Sequence, residues 1–274
     1  MGVIDFHIHL GRREHLTNHM IRYLQETLGP KSLDFMDTLS PREFSQYLDT
    51  QGVDYGVILS EYSPLVTGII PSEFTATFCK DSHRLIAFGS LDLQSPVPAG
   101  EQVQRCVEEL GCKGLKLLPS YGHYYPNDER LLSGYEAAQH FGIPVMFHTG
   151  TSLFPHTRIR YADPLLLDDI AEDFPQLAII ACHGGRPFWY KETQWLLSRH
   201  KNLFVDVSGI PPKQLLTAFP KFERYAERFV FGSDWPTEVV SIADQVQKIK
   251  NLPLKEATIS ALLRDNAARL LGLD

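Results

Sequence analysis

The sequence predicts an α/β protein that folds as a single (β/α)8 TIM barrel with a C-terminal helix. Eight short runs of β-branched and aromatic residues alternate along the chain with amphipathic segments. Most of these runs are continuously apolar, which is typical of parallel strands buried on both faces. The chain has 274 residues, of which 43% are hydrophobic, and this is enough to build the core of one barrel domain over residues 1–274.

The eight candidate strands are bounded by turn-forming residues. In chain order they are "VIDFHIH" (3–9), "YGVILSE" (55–61), "LIAFGSL" (85–91), "GLKLLP" (114–119), "IPVMFHT" (143–149), "LAIIACH" (177–183), "LFVDVSG" (203–209) and "RFVFGSD" (228–234). An open, doubly wound sheet is the alternative. No GxGxxG follows the first strand, which weakens the dinucleotide-binding version of that alternative.

Helical patterns separate the candidate strands. They cover residues 40–52, 99–111, 128–142 and 163–175, among others. Two of them open with a capping residue followed by proline, at Ser40 and at Asp163. Gly111 and Gly142 are typical helix-ending residues.

Composition narrows the function classes. A net charge of -7 and a pI near 5.9 argue against nucleic-acid and anionic-membrane partners. No apolar run is long enough to span a bilayer. The four cysteines form no CxxC pair, so we expect reduced thiols and a cytoplasmic protein.

Metal-competent side chains recur at the carboxyl ends of the candidate strands. His7 and His9 end the first, His148 the fifth, His183 the sixth and Asp234 the eighth. Active sites of α/β barrels lie at this end of the strands. The five side chains are therefore expected to share one mouth of the barrel.

The spacing of His7 and His9 suits a shared ion. Residues two apart in a strand point to the same face, with Cα atoms about 6.5 Å apart. Two imidazoles at that separation can converge on one cation. Alone, a His-x-His pair more often consists of hydrogen-bonded structural histidines, and the prediction gains strength only from His148, His183 and Asp234. Asp5 is expected on the same face but deeper, as a hydrogen-bonding neighbour.

Six motifs run from the first strand to the final helix. They are "DFHIHLG" (5–11), "GLKLLP" (114–119), "FHTG" (147–150), "DDIAEDFPQLAIIACHGG" (168–185), "FGSDWP" (231–236) and "LLRDNAARLLGL" (262–273). With these motifs the chain resembles the amidohydrolase superfamily, specifically the amidohydrolase-related (amidohydrolase 2) branch that includes aminocarboxymuconate-semialdehyde decarboxylase. The resemblance covers nearly the whole chain.

The resemblance implies a role for each matching residue. His7, His9, His148 and Asp234 become the ligands of one divalent metal ion, with zinc favoured over manganese or iron. His183 becomes the residue that handles protons, and Asp234 can share this catalytic role. Lys116 has three possible roles: a carboxylated bridge between two ions, a contact to a substrate carboxylate, or a structural residue. The second is favoured.

The same ligand set serves two reactions. We expect first the hydrolysis of a small ester, lactone or amide that carries a carboxylate, with a small-molecule substrate and a possible homodimer. The alternative is non-oxidative decarboxylation of an aromatic or unsaturated acid, and a remote one is a non-catalytic metal-bound binding module. Arg158 and Arg186 are candidate carboxylate contacts because guanidinium forks suit carboxylates. Tyr121 could line the mouth or only pack a loop.

Overall fold

The computed structural model describes residues 2–238 and 240–273. Ten strands lie in this part of the chain: β1 (Ile4–His9), β2 (Tyr55–Leu59), β3 (Glu61–Ser63), β4 (Gly68–Ile70), β5 (Leu85–Phe88), β6 (Leu115–Leu117), β7 (Val145–His148), β8 (Ile179–Cys182), β9 (Leu203–Asp206) and β10 (Phe229–Val230). Eight of them are parallel and form the barrel. The other two, β3 and β4, form an antiparallel hairpin.

Helices surround the barrel. The α-helices are α1 (Asn18–Leu28), α2 (Ser32–Thr38), α3 (Pro41–Thr50), α4 (Ser72–Cys79), α5 (Ala99–Glu108), α6 (Pro119–Gly122), α7 (Leu132–Phe141), α8 (Leu167–Asp173), α9 (Tyr190–Arg199), α10 (Leu215–Ala218), α11 (Ile242–Lys250), α12 (Glu256–Ser260) and α13 (Asn266–Leu271). Short 3-10 turns lie at Arg13–His15, Glu129–Leu131, Ile159–Tyr161, Pro164–Leu166, His183–Gly185, Pro212–Gln214 and Phe222–Arg228. A π-helical turn at Ala261–Asp265 connects α12 to α13, so the predicted final helix is present.

The strands close on themselves in the order β1-β2-β5-β6-β7-β8-β9-β10. A parallel bridge between Gly89 and Leu115 joins β5 to β6. A second bridge, between Ile8 and Trp235, joins β1 to the segment after β10, and Phe6 N–H donates to the Phe231 carbonyl at 2.8 Å. The predicted barrel is thereby confirmed, and each of the eight candidate strands contains one barrel strand.

An irregularity in β1 decides which side chains face the site. Asp5 pairs with Gly56, whereas His9 pairs with Leu59, and the register shifts between Asp5 and Ile8. Since 56 and 59 differ by an odd number, Asp5 and His9 lie on opposite faces of the sheet. The prediction that Asp5 shares the face of the two histidines is therefore wrong. Its carboxylate instead accepts the backbone N–H of His7 at 3.1 Å.

Two of the predicted capping and stop residues lie at the ends of their helices as expected. Ser40 caps α3 by accepting the N–H of Glu43, whose carboxylate returns to the Ser40 N–H. Gly142 ends α7 with a φ of 66°, a conformation that favours glycine. No helix among the described residues is long and apolar enough to cross a membrane.

Two inserted elements lie over the carboxyl end of the barrel. The first is the segment after β1, which contains α1 and α2, and the second is the β3–β4 hairpin. They are joined where Leu16 bridges Gly68 and where Thr17 N–H donates to the Thr67 carbonyl at 3.0 Å. Together they form one wall of a cavity at the barrel mouth.

Candidate active site at the carboxyl ends of the strands

Three of the predicted side chains form a compact cluster. His7 and His9 lie with their Nε2 atoms 2.9 Å apart. Asp234 Oδ1 is 3.6 Å from His7 Nε2 and 3.4 Å from His9 Nε2, and one ligand atom from each residue lies within 4.8 Å of the others. Asp234 adopts a φ of 58°, unusual for a residue with a side chain, while its N–H donates to the His7 carbonyl at 3.0 Å.

A buried carboxylate orients His7. Asp206, at the end of β9, lies with Oδ2 2.5 Å from His7 Nδ1, and both side chains are fully buried. Lys116 Nζ lies 3.1 Å from the other ring nitrogen, Nε2. An ammonium group can only donate, so the neutral His7 ring carries its proton on Nδ1 and a lone pair on Nε2.

A second carboxylate lies against His9. Glu61 Oε1 is 2.5 Å from His9 Nδ1, and Thr67 Oγ1 donates to Glu61 Oε2 at 2.6 Å. Burial opposes a charge on His9, but Glu61 and Asp234 outweigh this effect and raise the pKa of His9 to about 9. Without a cation in the site, His9 itself supplies the positive charge between two carboxylates.

His148 and His183 form a hydrogen-bonded chain. His183 Nδ1 lies 3.0 Å from the Ser208 carbonyl and therefore donates to it. His183 Nε2 is then the acceptor for His148 Nδ1, 3.2 Å away. This leaves His148 Nε2 with a lone pair, and that atom is buried without a hydrogen-bond partner. His148 stands outside the compact cluster but lines the same cavity.

The charges of these groups follow from their surroundings. Burial lowers the pKa of His183 well below its usual value, and Arg186 lowers it further. Burial and Lys116 have the same effect on the pKa of His148. Burial would raise the pKa of Asp234, but His7 and His9 hold it well below the usual range. At neutral pH the site therefore presents neutral His148 and His183 rings beside an ionised Asp234.

The cluster opens onto a cavity of about 350 Å³. Tyr121 covers His148, with ring centroids 4.7 Å apart, and Phe154 meets Tyr121 edge to face at 6.1 Å. Met20 and Tyr23 of α1 extend this wall. The cavity thus has a largely aromatic wall facing a polar floor, as small-molecule sites often do.

The donors fit a divalent cation. The two Nε2 atoms of His7 and His9 are closer together than twice a usual zinc–nitrogen distance of about 2.0–2.1 Å. Asp234 adds an ionised oxygen, and His148 contributes a buried Nε2 that the protein leaves unsatisfied. Imidazoles with a carboxylate suit zinc, manganese or iron.

The three candidate substrate-binding residues occupy different places. Arg186 lines the cavity, with Nη2 3.8 Å from Asp234 Oδ2. Lys116 is fully buried beneath the histidines, with Nζ 3.2 Å from Cys182 Sγ, and does not line the cavity. Arg158 is exposed in the loop after β7 and also lies outside the lining. Only Arg186 is placed to touch a ligand in this cavity.

Sequence reasoning missed three side chains of the site. Glu61, Asp206 and Ser208 each lie at or just beyond the end of a barrel strand. The histidines were predicted because they are polar residues at strand ends. The same criterion also applies to these three residues. They were passed over because a carboxylate or hydroxyl in such a run has no partner visible in the sequence.

Comparison with known proteins supports the predicted resemblance. The family model described as amidohydrolase matches residues 4–273. The chain belongs to the amidohydrolase family. Gamma-resorcylate decarboxylase of Rhizobium sp. (strain MTP-10005) is 25% identical to this amidohydrolase over 314 aligned positions, covering 90% of each chain.

Solved structures share the fold of this amidohydrolase. An uncharacterised TIM-barrel protein of Bordetella bronchiseptica superposes with a TM-score of 0.80 at 23% identity, covering 100% of this chain and 99% of the other. A 5-carboxyvanillate decarboxylase of Novosphingobium aromaticivorans, complexed with manganese and a nitrobenzoic acid, has a TM-score of 0.71 at 17% identity, covering 99% and 96%. The second structure contains manganese in a barrel of the same architecture.

Proposed function

We propose that this amidohydrolase is a metal-dependent, non-oxidative decarboxylase of a small aromatic or unsaturated carboxylic acid. One observation carries the proposal: the cluster of His7, His9 and Asp234 opens onto an aromatic-walled cavity that contains Arg186. From the sequence we expect hydrolysis first and decarboxylation second. The curated relatives named as decarboxylases favour the reverse order.

In this proposal His7, His9, His148 and Asp234 hold one divalent ion. Three imidazole Nε2 atoms with lone pairs and an ionised carboxylate form its ligand set. A bound ion would supply Lewis-acid chemistry, polarising an oxygen of the substrate. The choice among zinc, manganese and iron is left to metal analysis.

Arg186 would orient the acid. Its guanidinium lies against Gly209, where an added Cβ would overlap the guanidinium group. Glu238 is 3.6 Å from Arg186 Nη1, so this carboxylate balances the charge until a substrate carboxylate replaces it. Tyr121 and Phe154 offer ring faces and edges to a planar substrate.

His183 would move the proton that the reaction consumes. Its ring is neutral, its Nδ1–H is held by Ser208, and its Nε2 faces His148. After exchanging its hydrogen bond from His148 for one from a water, Nε2 would pass a proton from that water to the substrate carbon that bears the carboxyl group, and the solvent would take up the hydroxide left behind. The bond from that carbon to the carboxyl group then breaks, its electron pair stays with the carbon skeleton, and CO2 leaves.

The test is a pair of assays on metal-loaded protein. Pooled hydroxybenzoic and unsaturated carboxylic acids are incubated and released CO2 is measured, while a pool of neutral esters and lactones is followed by proton release. We expect CO2 from an acid, and loss of that activity in His183→Asn. Proton release from esters without any CO2 would favour the hydrolase, for which a neutral His183 is equally suited as a base.

The Gly209→Ala variant tests Arg186. The added methyl group displaces the guanidinium, so KM for the acid should rise while the metal content stays at the wild-type level. Gly111→Ala is the control, because Gly111 also has a positive φ but no side chain near it. An unchanged KM in Gly209→Ala would remove Arg186 from the substrate site.

A further inference from the structure

The exit of β9 carries a polar pair that the proposed chemistry does not itself use. Asp206 and Ser208 are both buried. Asp206 Oδ2 accepts from Ser208 Oγ at 2.6 Å, and Asp206 Oδ1 accepts from the Ser208 N–H at 2.9 Å. The loop after β9 is therefore tied to the strand by its own side chains.

This pair touches histidines from two other strands. Asp206 Oδ2 is 2.5 Å from His7 Nδ1, and Ser208 Oγ is 3.0 Å from the same nitrogen. Ser208 also meets His183 Nδ1 twice, through its carbonyl at 3.0 Å and its Oγ at 3.0 Å. A single loop exit thus contacts His7 of β1 and His183 after β8.

These contacts decide which ring nitrogen carries the proton. An acceptor placed at Nδ1 leaves the lone pair on Nε2, as in metal sites where a carboxylate or carbonyl holds the far side of the ring. For His7, Lys116 gives an independent sign of the same tautomer, because its ammonium group lies at Nε2 and can only donate. The tautomer of His183 also determines that of His148. Because His183 Nε2 carries a lone pair, His148 Nδ1 must carry the proton and donate it to that atom.

We infer that Asp206 and Ser208 are positioning residues that set the tautomers of His7, His183 and His148 together. The pair orients two of the imidazoles proposed as metal ligands and the imidazole proposed to carry the proton. This inference rests on the proposed metal site. It goes further because it traces the tautomers of all three rings to the same pair, Asp206 and Ser208.

The packing around the pair leaves little freedom. A Cβ built on Gly232 would lie 2.5 Å from Asp206 Oδ1 and 2.5 Å from His7 Cβ. The carboxylate is therefore wedged between β9 and the segment after β10. Asparagine at position 206 keeps the shape but offers only one accepting atom, so either His7 Nδ1–H or the Ser208 N–H loses its acceptor.

The test compares zinc affinity and histidine tautomers in the full-length protein. Dissociation constants for Zn²⁺ are measured by competition with a chromophoric chelator for wild type, Asp206→Asn, Ser208→Ala and the double variant. We expect Asp206→Asn to weaken binding by about 10–100-fold and Ser208→Ala by a smaller factor. The double variant should lose less than the product of the two factors, since both act through one network.

Two controls separate positioning from general stability. Asp5→Asn alters another fully buried carboxylate, which accepts from the backbone N–H groups of His7 and Ser233 and from the Ser233 side chain but contacts no histidine ring. Thr75→Val removes a buried hydroxyl that has no partner. Both should leave the zinc affinity within about threefold of wild type, below the 10–100-fold change expected for Asp206→Asn, whatever they do to the melting temperature with chelator present.

Nitrogen-15 NMR of the histidine rings in metal-free protein reads the tautomers directly. We expect His7, His148 and His183 to carry the proton on Nδ1 alone. A proton on Nε2 of His7 or His183 would overturn the inference. An unchanged zinc affinity in Asp206→Asn would also overturn the inference. If that variant fails to fold, an unchanged zinc affinity in Ser208→Ala would overturn it instead.

The two proposals can fail separately. If wild type and His9→Ala bind Zn²⁺ equally weakly, the proposed metal site is wrong and the inference falls with it. If His9→Ala loses binding while Asp206→Asn and Ser208→Ala do not, the metal site stands and the positioning role is refuted.

Discussion

Lys116 and His7 meet inside the barrel, with Nζ 3.1 Å from Nε2 and both side chains fully buried. The Nε2 atom is the one that the proposed site offers to a metal ion. The lysine therefore competes with the ion for a lone pair and adds a like charge beside it.

Replacing this lysine should strengthen metal binding. In Lys116→Met we expect Zn²⁺ to bind more tightly by at least about tenfold, because a nearby positive charge is removed from a medium of low dielectric constant. Chelator competition measures the change. Lys113→Met, which removes an exposed lysine just before β6, should have no effect. Loss of metal in Lys116→Met would instead assign Lys116 the bridging role of the two-ion alternative.

Glu61 should matter to the metal through His9. Glu61→Gln removes the charge that lies 2.5 Å from His9 Nδ1, and we expect about tenfold weaker Zn²⁺ binding. Thr67→Val deletes the hydroxyl that holds Glu61 and should give a smaller loss. The control is Glu73→Gln, which affects only a half-exposed pair with Arg105. Equal affinities in Glu61→Gln and Glu73→Gln would contradict the prediction.

The metal-free protein should lose stability as the pH rises. The pKa of His9 is raised to about 9 in the folded state, above about 6.5 in the unfolded chain. Its contribution, on the order of 1–3 kcal/mol, is complete below pH 6.5 and disappears by about pH 9.

Urea unfolding in the presence of chelator measures this effect. The free energy of unfolding of wild type should fall between pH 6.5 and pH 9 relative to that of His9→Gln. The difference between the two proteins isolates His9 from Asp5, because burial raises the pKa of Asp5 to about 7 and its contribution falls in the same direction. Parallel curves for the two proteins would refute the assignment to His9.

His183→Asn should reduce turnover without reducing metal binding. The side chain contacts His148 and Ser208 but is absent from the compact cluster. We expect wild-type metal content with turnover reduced by about 10²-fold or more. The matched control is His140→Asn on the exposed face of α7. Because His183 also holds His148, loss of the metal in His183→Asn would make His183 a ligand, and favour two ions, only if it exceeds the loss in Ser208→Ala.

The barrel could be predicted because its signals are local. Each barrel strand lies in a short apolar run, and several helices carry a capping or stop residue, such as Ser40 or Gly142. The histidines at strand ends were visible for the same reason. Topology then follows from the alternation of strands and helices.

What could not be predicted depends on departures from regular strand geometry. The register shift in β1 places Asp5 on the opposite face of the sheet from His9. No glycine or other residue in this strand predicts such a bulge. Strict alternation of faces along β8 would turn Cys182 away from His183, yet Cys182 Sγ lies 3.2 Å from Lys116 Nζ at the base of the site. His183 has already left the strand, with a φ of 61°, so the alternation of faces ends one residue before it.

Long-range partners were also hidden. Glu61 meets His9, and Asp206 meets His7, across distances in sequence that no local pattern reports. Arg158 lies ten residues after the end of β7 and is exposed, whereas Arg186 lies only four residues after the end of β8 and lines the cavity. The two inserted elements over the mouth had no recognisable pattern, and they contribute Met20, Tyr23, Glu61 and Thr67 to the cavity lining.

The closure of the barrel through Phe6 and Phe231 has a consequence for biosynthesis. Asp234 is synthesised 227 residues after His7 (234 − 7). A nascent chain therefore holds its histidines without the carboxylate that completes the cluster. The proposed ligand set is therefore complete only after the last barrel strand has been made, and a product truncated before Asp234 would lack one of its four ligands.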